Sequence, residues 1–210
     1  MSECNASGNP VDPKAADEML ELIKENLRDT DIIVTSGSVP PGVPADFYYK
    51  VINEAKSRGI ITILDADNQL LAEGVKAAPT LIKPNRNELE KYVGKELATR
   101  EDIAKAASQL LETGIKYVCV SAGAEGAYLF SDEGWFFADS APIEVKGVQG
   151  AGDFLVAGFA MAMEDGLGPQ EMLRVAVAAA NGSLTHEGTK LCQREDLEKI
   201  LPLINAVRIN

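Results

Sequence analysis

Apolar residues recur along this 210-residue chain at two different spacings. In some segments they return every three or four positions, which predicts amphipathic helices. These segments cover 14–28, 46–57, 101–113, 170–184 and 195–204. Between them lie short runs that are apolar nearly throughout, which predict buried strands. These runs are 32–35, 60–64, 80–82 and 117–120, and a hairpin is predicted over 127–137.

Alternating strands and helices indicate an α/β fold in which a mostly parallel sheet is covered by helices on both faces. No internal repeat, low-complexity tract or linker interrupts the pattern, so a single domain is predicted over 1–210. Its first 13 residues are polar and contain Gly and Pro, and we expect them to be loose.

Composition narrows the class of protein further. The net charge of −12 argues against a nucleic-acid partner, although backbone amides of an acidic protein can still hold a small phosphate. The three cysteines are widely spaced and suggest neither a disulfide framework nor a zinc site. With no signal peptide and no apolar run long enough to cross a bilayer, the sequence predicts no membrane partner and a cytoplasmic location.

The stretch Gly150-Ala151-Gly152-Asp153 precedes an apolar run that predicts a buried helix. Free backbone N–H groups and the positive end of the helix dipole would favour an anion at this turn. Asp153 has two interpretations on residue type alone, a helix N-cap or a general base beside an anion hole. Because α/β sheets bind ligands at the carboxyl ends of their strands, where the other unusual residues lie, the second is favoured.

Four motifs occur in one order along the chain, at 36–44, 83–89, 120–126 and 150–153. With these motifs the chain resembles the ribokinase-like sugar kinases of the phosphofructokinase-B (PfkB) type. Within them it is most similar to the 1-phosphofructokinase and tagatose-6-phosphate kinase group. The resemblance runs from Lys14 onward and implies a three-layer ribokinase-like sandwich.

The resemblance also implies roles for individual residues, with ATP and Mg²⁺ as cofactors. Asp153 would take the proton from the acceptor hydroxyl, while the backbone amides of Gly150, Ala151, Gly152 and Asp153 itself would hold the transferred γ-phosphoryl group. The residues implied in binding the nucleotide are Ser121, Gly123, Glu125, Gly126, Lys83 and Asn181.

Asn85 and Glu88 match an Asn-x-x-Glu motif that helps to hold Mg²⁺ and phosphate, usually through water. Structural alternatives stay open for several of these residues. Asn85 and Glu88 could simply cap a helix, the loop 121–126 could be a plain hairpin turn, and Lys83 could be a surface lysine. Asp65, at a strand end, could reach the site or cap the loop behind it.

The chain departs from the family pattern in three places. Gly147-Val148-Gln149 stands where Thr is frequent, and Phe154 stands where a small residue is common. By the resemblance, the chain also lacks the N-terminal strands and the β lid, which would carry most of the sugar site. We therefore expect an open apolar sheet edge at 32–34 and weak or no turnover by the chain alone.

Two functions remain in view. The first is ATP-dependent phosphorylation of a ketohexose phosphate, with fructose 1-phosphate, which would give fructose 1,6-bisphosphate, as the preferred acceptor. The second is a non-catalytic nucleotide-binding module that needs a partner chain to complete the sugar site. The expected partners are ATP and the phosphorylated ketohexose, with a homo-oligomer or a complementing chain left open.

Overall fold

The computed structural model describes residues 8–27, 30–188 and 190–210. Within these ranges seven strands form one sheet, with each strand next to its neighbours in chain order. The strands are β1 (Ile32–Ser36), β2 (Ile61–Asp65), β3 (Leu81–Ile82), β4 (Tyr117–Ser121), β5 (Gly126–Ser131), β6 (Gly134–Asp139) and β7 (Ala206–Arg208). The helices are α1 (Pro13–Asn26), α2 (Phe47–Ser57), α3 (Asn68–Val75), α4 (Arg86–Val93), α5 (Arg100–Leu111), α6 (Ala151–Glu164), α7 (Pro169–Leu184) and α8 (Arg194–Ile200).

The sheet is mixed, and the lengths of its connections explain why. β1 to β4 run parallel because a helix-containing crossover joins each to the next. β5 and β6 run antiparallel to their preceding neighbours, since only a short turn separates β4 from β5 and another separates β5 from β6. β7 follows β6 after α6, α7 and α8 and also pairs with it antiparallel. The predicted α/β class is confirmed, with antiparallel strands added at one side of the sheet.

Helices cover both faces of the sheet, as the three-layer prediction requires. Alternate residues of each central strand point to opposite faces, so Leu81 and Ile82 of β3 enter different cores. One core packs against α6, α7 and α8, and the other against α2, α3, α4 and α5. Within the first core α6 and α7 lie very close, since a methyl group added at Gly158 would lie 2.6 Å from Ala176 Cα.

β1 is an edge strand, as predicted. It pairs only with β2 among the described residues. Val34 is 40% exposed, and Ile32 and Ile33 are partly exposed. An apolar strand with a free edge is a template for another strand.

Some elements differ from the sequence-based expectation. The helix α3 and the short strand β7 were not predicted, and α4 was raised only as the alternative in which Asn85 and Glu88 cap a helix. The helix α8 ends at Ile200, where a 3-10 turn containing Pro202 follows. Of the segment expected to be loose, residues 1–7 lie outside the described residues, and Val11 N–H donates to the Pro41 carbonyl at 2.9 Å. In the part of the chain that the structure describes, none of the helices has the length and apolar character needed to cross a membrane.

Candidate active site

The turn before α6 supplies a helix start with unoccupied N–H groups. Gly150 is the N-cap residue and has a φ of 79°, a left-handed conformation that favours glycine. No side chain of the described residues caps this helix. Asp153 lies in the first turn and is exposed, so the N-cap interpretation of Asp153 is wrong and its carboxylate is available.

Two cavities meet at this helix start. The first, of about 180 Å³, is lined by both loop residues and helix residues, among them Ser121, Gly123, Ala151, Gly152 and Asn181. The second, of about 380 Å³, is lined by Gln149, Gly150, Asp153, Phe154, Ala157, Lys190 and Leu191. The amides of the turn therefore lie between two spaces, and the Asp153 carboxylate lies in the second.

Lys83 lies beneath the helix start and is almost completely buried, so the surface-lysine alternative is wrong. It follows β3, and its Nζ lies 2.9 Å from Asp65 Oδ1 at the end of β2. A methyl group added at Gly152 would lie 3.5 Å from the same Nζ atom. Burial raises the pKa of the Asp65 carboxyl, the Lys83 ammonium opposes this, and the negative charge of Asp153 adds to it.

Asn85 and Glu88 form a capping box at the start of α4, which is the structural alternative for this pair. Asn85 Oδ1 accepts from Glu88 N–H at 2.9 Å, and Glu88 Oε2 accepts from Asn85 N–H at 2.8 Å. The backbone of Asn85 also bridges to Ser121, the last residue of β4, and Ser121 N–H donates to the Pro84 carbonyl. The fold thereby brings the second and third motifs together.

The loop between β4 and β5 contains glycines with different surroundings. Gly123 has a φ of 60°, and a methyl group added there would meet no atom within 4 Å. Gly126 has a φ of 121°, and a methyl group added there would lie 1.9 Å from Ala138 O. Both glycines line the first cavity. At Gly123 a side chain would have room, whereas the β5–β6 pairing leaves no room for one at Gly126. Glu125 is exposed and does not line the cavity.

Asn181 lies in α7 and lines the first cavity, but its amide is already engaged with backbone groups. Its Oδ1 accepts from Ala141 N–H at 2.7 Å, and its Nδ2 donates to Val177 O at 2.9 Å. It therefore anchors the segment after β6 to α7, and its contribution to the cavity is shape.

The donor set near the helix start fits a Mg²⁺ ion bound mainly through phosphate and water. Among the described residues there is no group of three His, Cys, Asp or Glu side chains arranged to hold a metal. Mg²⁺ commonly keeps several waters and takes one or two carboxylates plus phosphate oxygens. At the helix start Asp153 is the exposed carboxylate. Glu88 lines neither cavity and both of its oxygens accept hydrogen bonds from Asn85, so it would reach such an ion only through water.

Sequence reasoning left two residues of this region unassigned. Asp65 had a signal, since it ends an apolar strand at the carboxyl edge of the sheet. Lys190 had none, because its place beside the second cavity depends on how the chain returns after α7. Cys119 of β4 is fully buried. Burial raises the pKa of its thiol to about 12, so it does not act as a nucleophile.

A helix start with a glycine N-cap at the carboxyl ends of parallel strands is a position at which α/β proteins commonly bind phosphate groups. Residues 4–196 match the model of the pfkB family carbohydrate kinases, and the chain belongs to this family.

Individual proteins of known function or structure are similar to this chain over nearly its whole length. The chain is 32% identical to 1-phosphofructokinase of Haemophilus influenzae over 210 residues, which are 100% of this chain and 66% of that protein. It is 30% identical to 1-phosphofructokinase of Bacillus subtilis over 208 residues, 99% of this chain and 68% of that protein. Among solved structures, phosphofructokinase-2 from Escherichia coli in complex with substrates and products matches with a TM-score of 0.87 and 30% identity, over 94% of this chain and 64% of that one. The chain spans about two thirds of the length of these relatives.

Proposed function

We propose that this chain carries the phosphoryl-transfer site of an ATP-dependent kinase that phosphorylates a ketohexose phosphate, with fructose 1-phosphate as the preferred acceptor. One observation carries the proposal: the start of α6 lies between two cavities, with free amides at the junction and the Asp153 carboxylate in the second. Phosphoryl transfer needs little more from a protein than this, because it depends on positioning and on stabilising charge.

The two cavities suit the two substrates. ATP would occupy the first cavity, with its phosphates at Ser121, Gly123 and the amides of the helix start. The wall formed by Val177 and Leu184 of α7 is apolar and would lie beside the rest of the nucleotide. The acceptor would occupy the second cavity, where Asp153 is placed to take the proton of its hydroxyl.

Mg²⁺, when bound, would neutralise charge on the ATP phosphates, with Glu88 and Asn85 holding it through water. The chain's own contribution at the transferred group is the amides of Gly150, Ala151 and Gly152 together with the Lys83 ammonium. Fixed donors of this kind stabilise developing negative charge without having to reorganise.

ADP release with MgATP and a panel of acceptors tests the proposal. The panel contains fructose 1-phosphate, fructose 6-phosphate, tagatose 6-phosphate and unphosphorylated fructose. Asp153→Asn should lower turnover by about 100-fold or more, as the loss of a general base does. Asp165→Asn, the same change at the other end of α6, is the matched control and should leave turnover unchanged. Equal turnover by the wild-type chain and Asp153→Asn would refute the role of Asp153.

The open edge of β1 favours a second candidate, a nucleotide-binding module that turns over only with a partner chain. Val34 is 40% exposed on a strand that, in the part of the chain that the structure describes, pairs on one side only. This candidate predicts that MgATP raises the melting temperature of the chain while no acceptor stimulates ADP release. A cytoplasmic location and a homo-oligomeric state remain predictions for either candidate.

A further inference from the structure

Asp65 and Lys83 form an ion pair whose side chains are only 16% and 7% exposed. They stand at the ends of neighbouring strands, and Lys83 N–H donates to the Leu64 carbonyl just before Asp65. Among the described residues, no other carboxylate lies within 4.0 Å of the Lys83 ammonium. Buried ion pairs contribute little net stability, because desolvation offsets the attraction between the charges. A role in the site is therefore a better account of this pair than stability.

The Lys83 ammonium lies against the first turn of α6, 3.5 Å from the position of a methyl group added at Gly152. It thus places a positive charge next to the positive end of a helix dipole, an arrangement that the Asp65 and Asp153 carboxylates offset and that also favours a bound anion. Asp153 is close enough for its negative charge to act on the Asp65 carboxyl. Of these two carboxylates, it is that of Asp65 with which Lys83 pairs.

We propose that Asp65 is a positioning residue, which holds the Lys83 ammonium beside the start of α6 and away from Asp153. This inference rests on the proposed function. In this arrangement Lys83 is directed at the phosphoryl group that the helix start binds, and Asp153 keeps a carboxylate free for the acceptor hydroxyl. Without Asp65, the ammonium would pair with Asp153, and both groups would lose their place in the site.

Binding of ATP and of ADP, each with Mg²⁺ and measured by calorimetry, tests the inference without requiring turnover. The difference between the two nucleotides is the γ-phosphoryl group, so their affinity ratio reports on Lys83. Asp65→Asn and Lys83→Met should each reduce the preference for ATP over ADP about tenfold, the loss expected for one hydrogen bond to a charged group. The double variant should lose no more than either single variant. Asp67→Asn, two residues beyond Asp65 and exposed, is the control and should keep the wild-type ratio.

Several results would overturn the inference. An Asp65→Asn protein that keeps the wild-type ratio, or losses that add in the double variant, would show that Asp65 does not act through Lys83. A wild-type chain that binds ATP and ADP equally would show that the helix start does not hold the γ-phosphoryl group, while nucleotide binding would stand. A wild-type chain that binds neither nucleotide would refute the proposed function and this inference with it. Asp65→Ser provides a second variant, and if both variants of Asp65 fail to fold while Lys83→Met folds, the carboxylate serves the fold alone and the inference is wrong.

Discussion

Asn85 and Glu88 hydrogen-bond to each other in both directions at the start of α4. Each side chain accepts from the backbone N–H of the other, and Asn85 Nδ2 also donates to Glu88 Oε1 at 2.6 Å. The pair therefore has a structural task in addition to the proposed one at Mg²⁺. Because the capping task needs an acceptor oxygen and the metal task needs negative charge, a single substitution can separate them.

Glu88→Gln keeps an acceptor oxygen for the cap and removes the charge. Glu88→Gln loses the second acceptor, to which Asn85 Nδ2 donates, so it should cost some stability but less than Glu88→Ala, for which we expect roughly 1 kcal/mol. Glu88→Gln should also raise the Mg²⁺ concentration needed for half-maximal ATP binding. A Mg²⁺ titration at fixed ATP, followed by the melting temperature, measures this.

The matched control is Asp102→Asn, which makes the same kind of change in the capping box that Asp102 forms with Thr99 at the start of α5. The start of α4 is joined through Asn85 to Ser121, which lines the first cavity, whereas Thr99 and Asp102 line neither cavity. Asp102→Asn should leave the Mg²⁺ requirement unchanged. Equal shifts in the two variants would mean that Glu88 acts only through the net charge of the protein.

Gly123 and Gly126 should respond differently to the same substitution. Gly126→Ala should destabilise the fold by about 3 kcal/mol or more, because its methyl group would overlap Ala138 O and its φ of 121° is closed to alanine. Gly123→Ala should cost only about 1 kcal/mol, the strain of a left-handed alanine. Urea unfolding measures both changes. Gly123→Ala should in addition weaken ATP binding, since its methyl group would project from the wall of the first cavity; unchanged ATP affinity would remove Gly123 from the site.

How far the sequence predicted this molecule depends on the range of the interactions involved. The main helices and strands followed from local apolar spacing, and the Gly150 turn followed from the two glycines before an apolar helix. The helix α3 was missed because it is short and follows directly on β2 with no apolar periodicity long enough to detect. The contact of Lys83 with Asp65 joins residues at the ends of two different strands, so no pattern of neighbouring residues predicts it. The exposure of Glu125 depends on how a 3-10 turn faces solvent, which the local sequence does not indicate either.

The free edge of β1 should make the chain associate through that edge at high concentration. Val34→Lys places a charge on the exposed edge, which natural edge strands use to prevent pairing. We expect it to reduce concentration-dependent association, measured by light scattering. Val207→Lys on β7 is a matched control, since Val207 is 41% exposed and Val34 is 40% exposed at opposite edges of the sheet. If Val207→Lys reduced association as strongly as Val34→Lys, general charge repulsion and not the β1 edge would be responsible.

Asp196 should make part of the stability depend on pH. Its Oδ2 lies 2.7 Å from Nε2 of His186 and accepts from Gln193 N–H at 2.9 Å, and these two contacts lower the pKa of the Asp196 carboxyl. A carboxyl with a lowered pKa in the folded state stabilises the fold above its unfolded-state pKa of about 3.9, and this contribution is lost as the pH falls through the folded-state pKa.

Asp196→Asn should therefore lower the free energy of unfolding at pH 7 by about 1 kcal/mol, the usual value of such a cap, and the difference from wild type should shrink at about pH 3 and below. Urea unfolding at both pH values measures it, with Glu198→Gln in the same helix as the control because Glu198 pairs with Arg194 only at the exposed surface. A difference that persisted in full well below pH 3 would show that packing of Asp196, and not its charge, ties α8 to the end of α7.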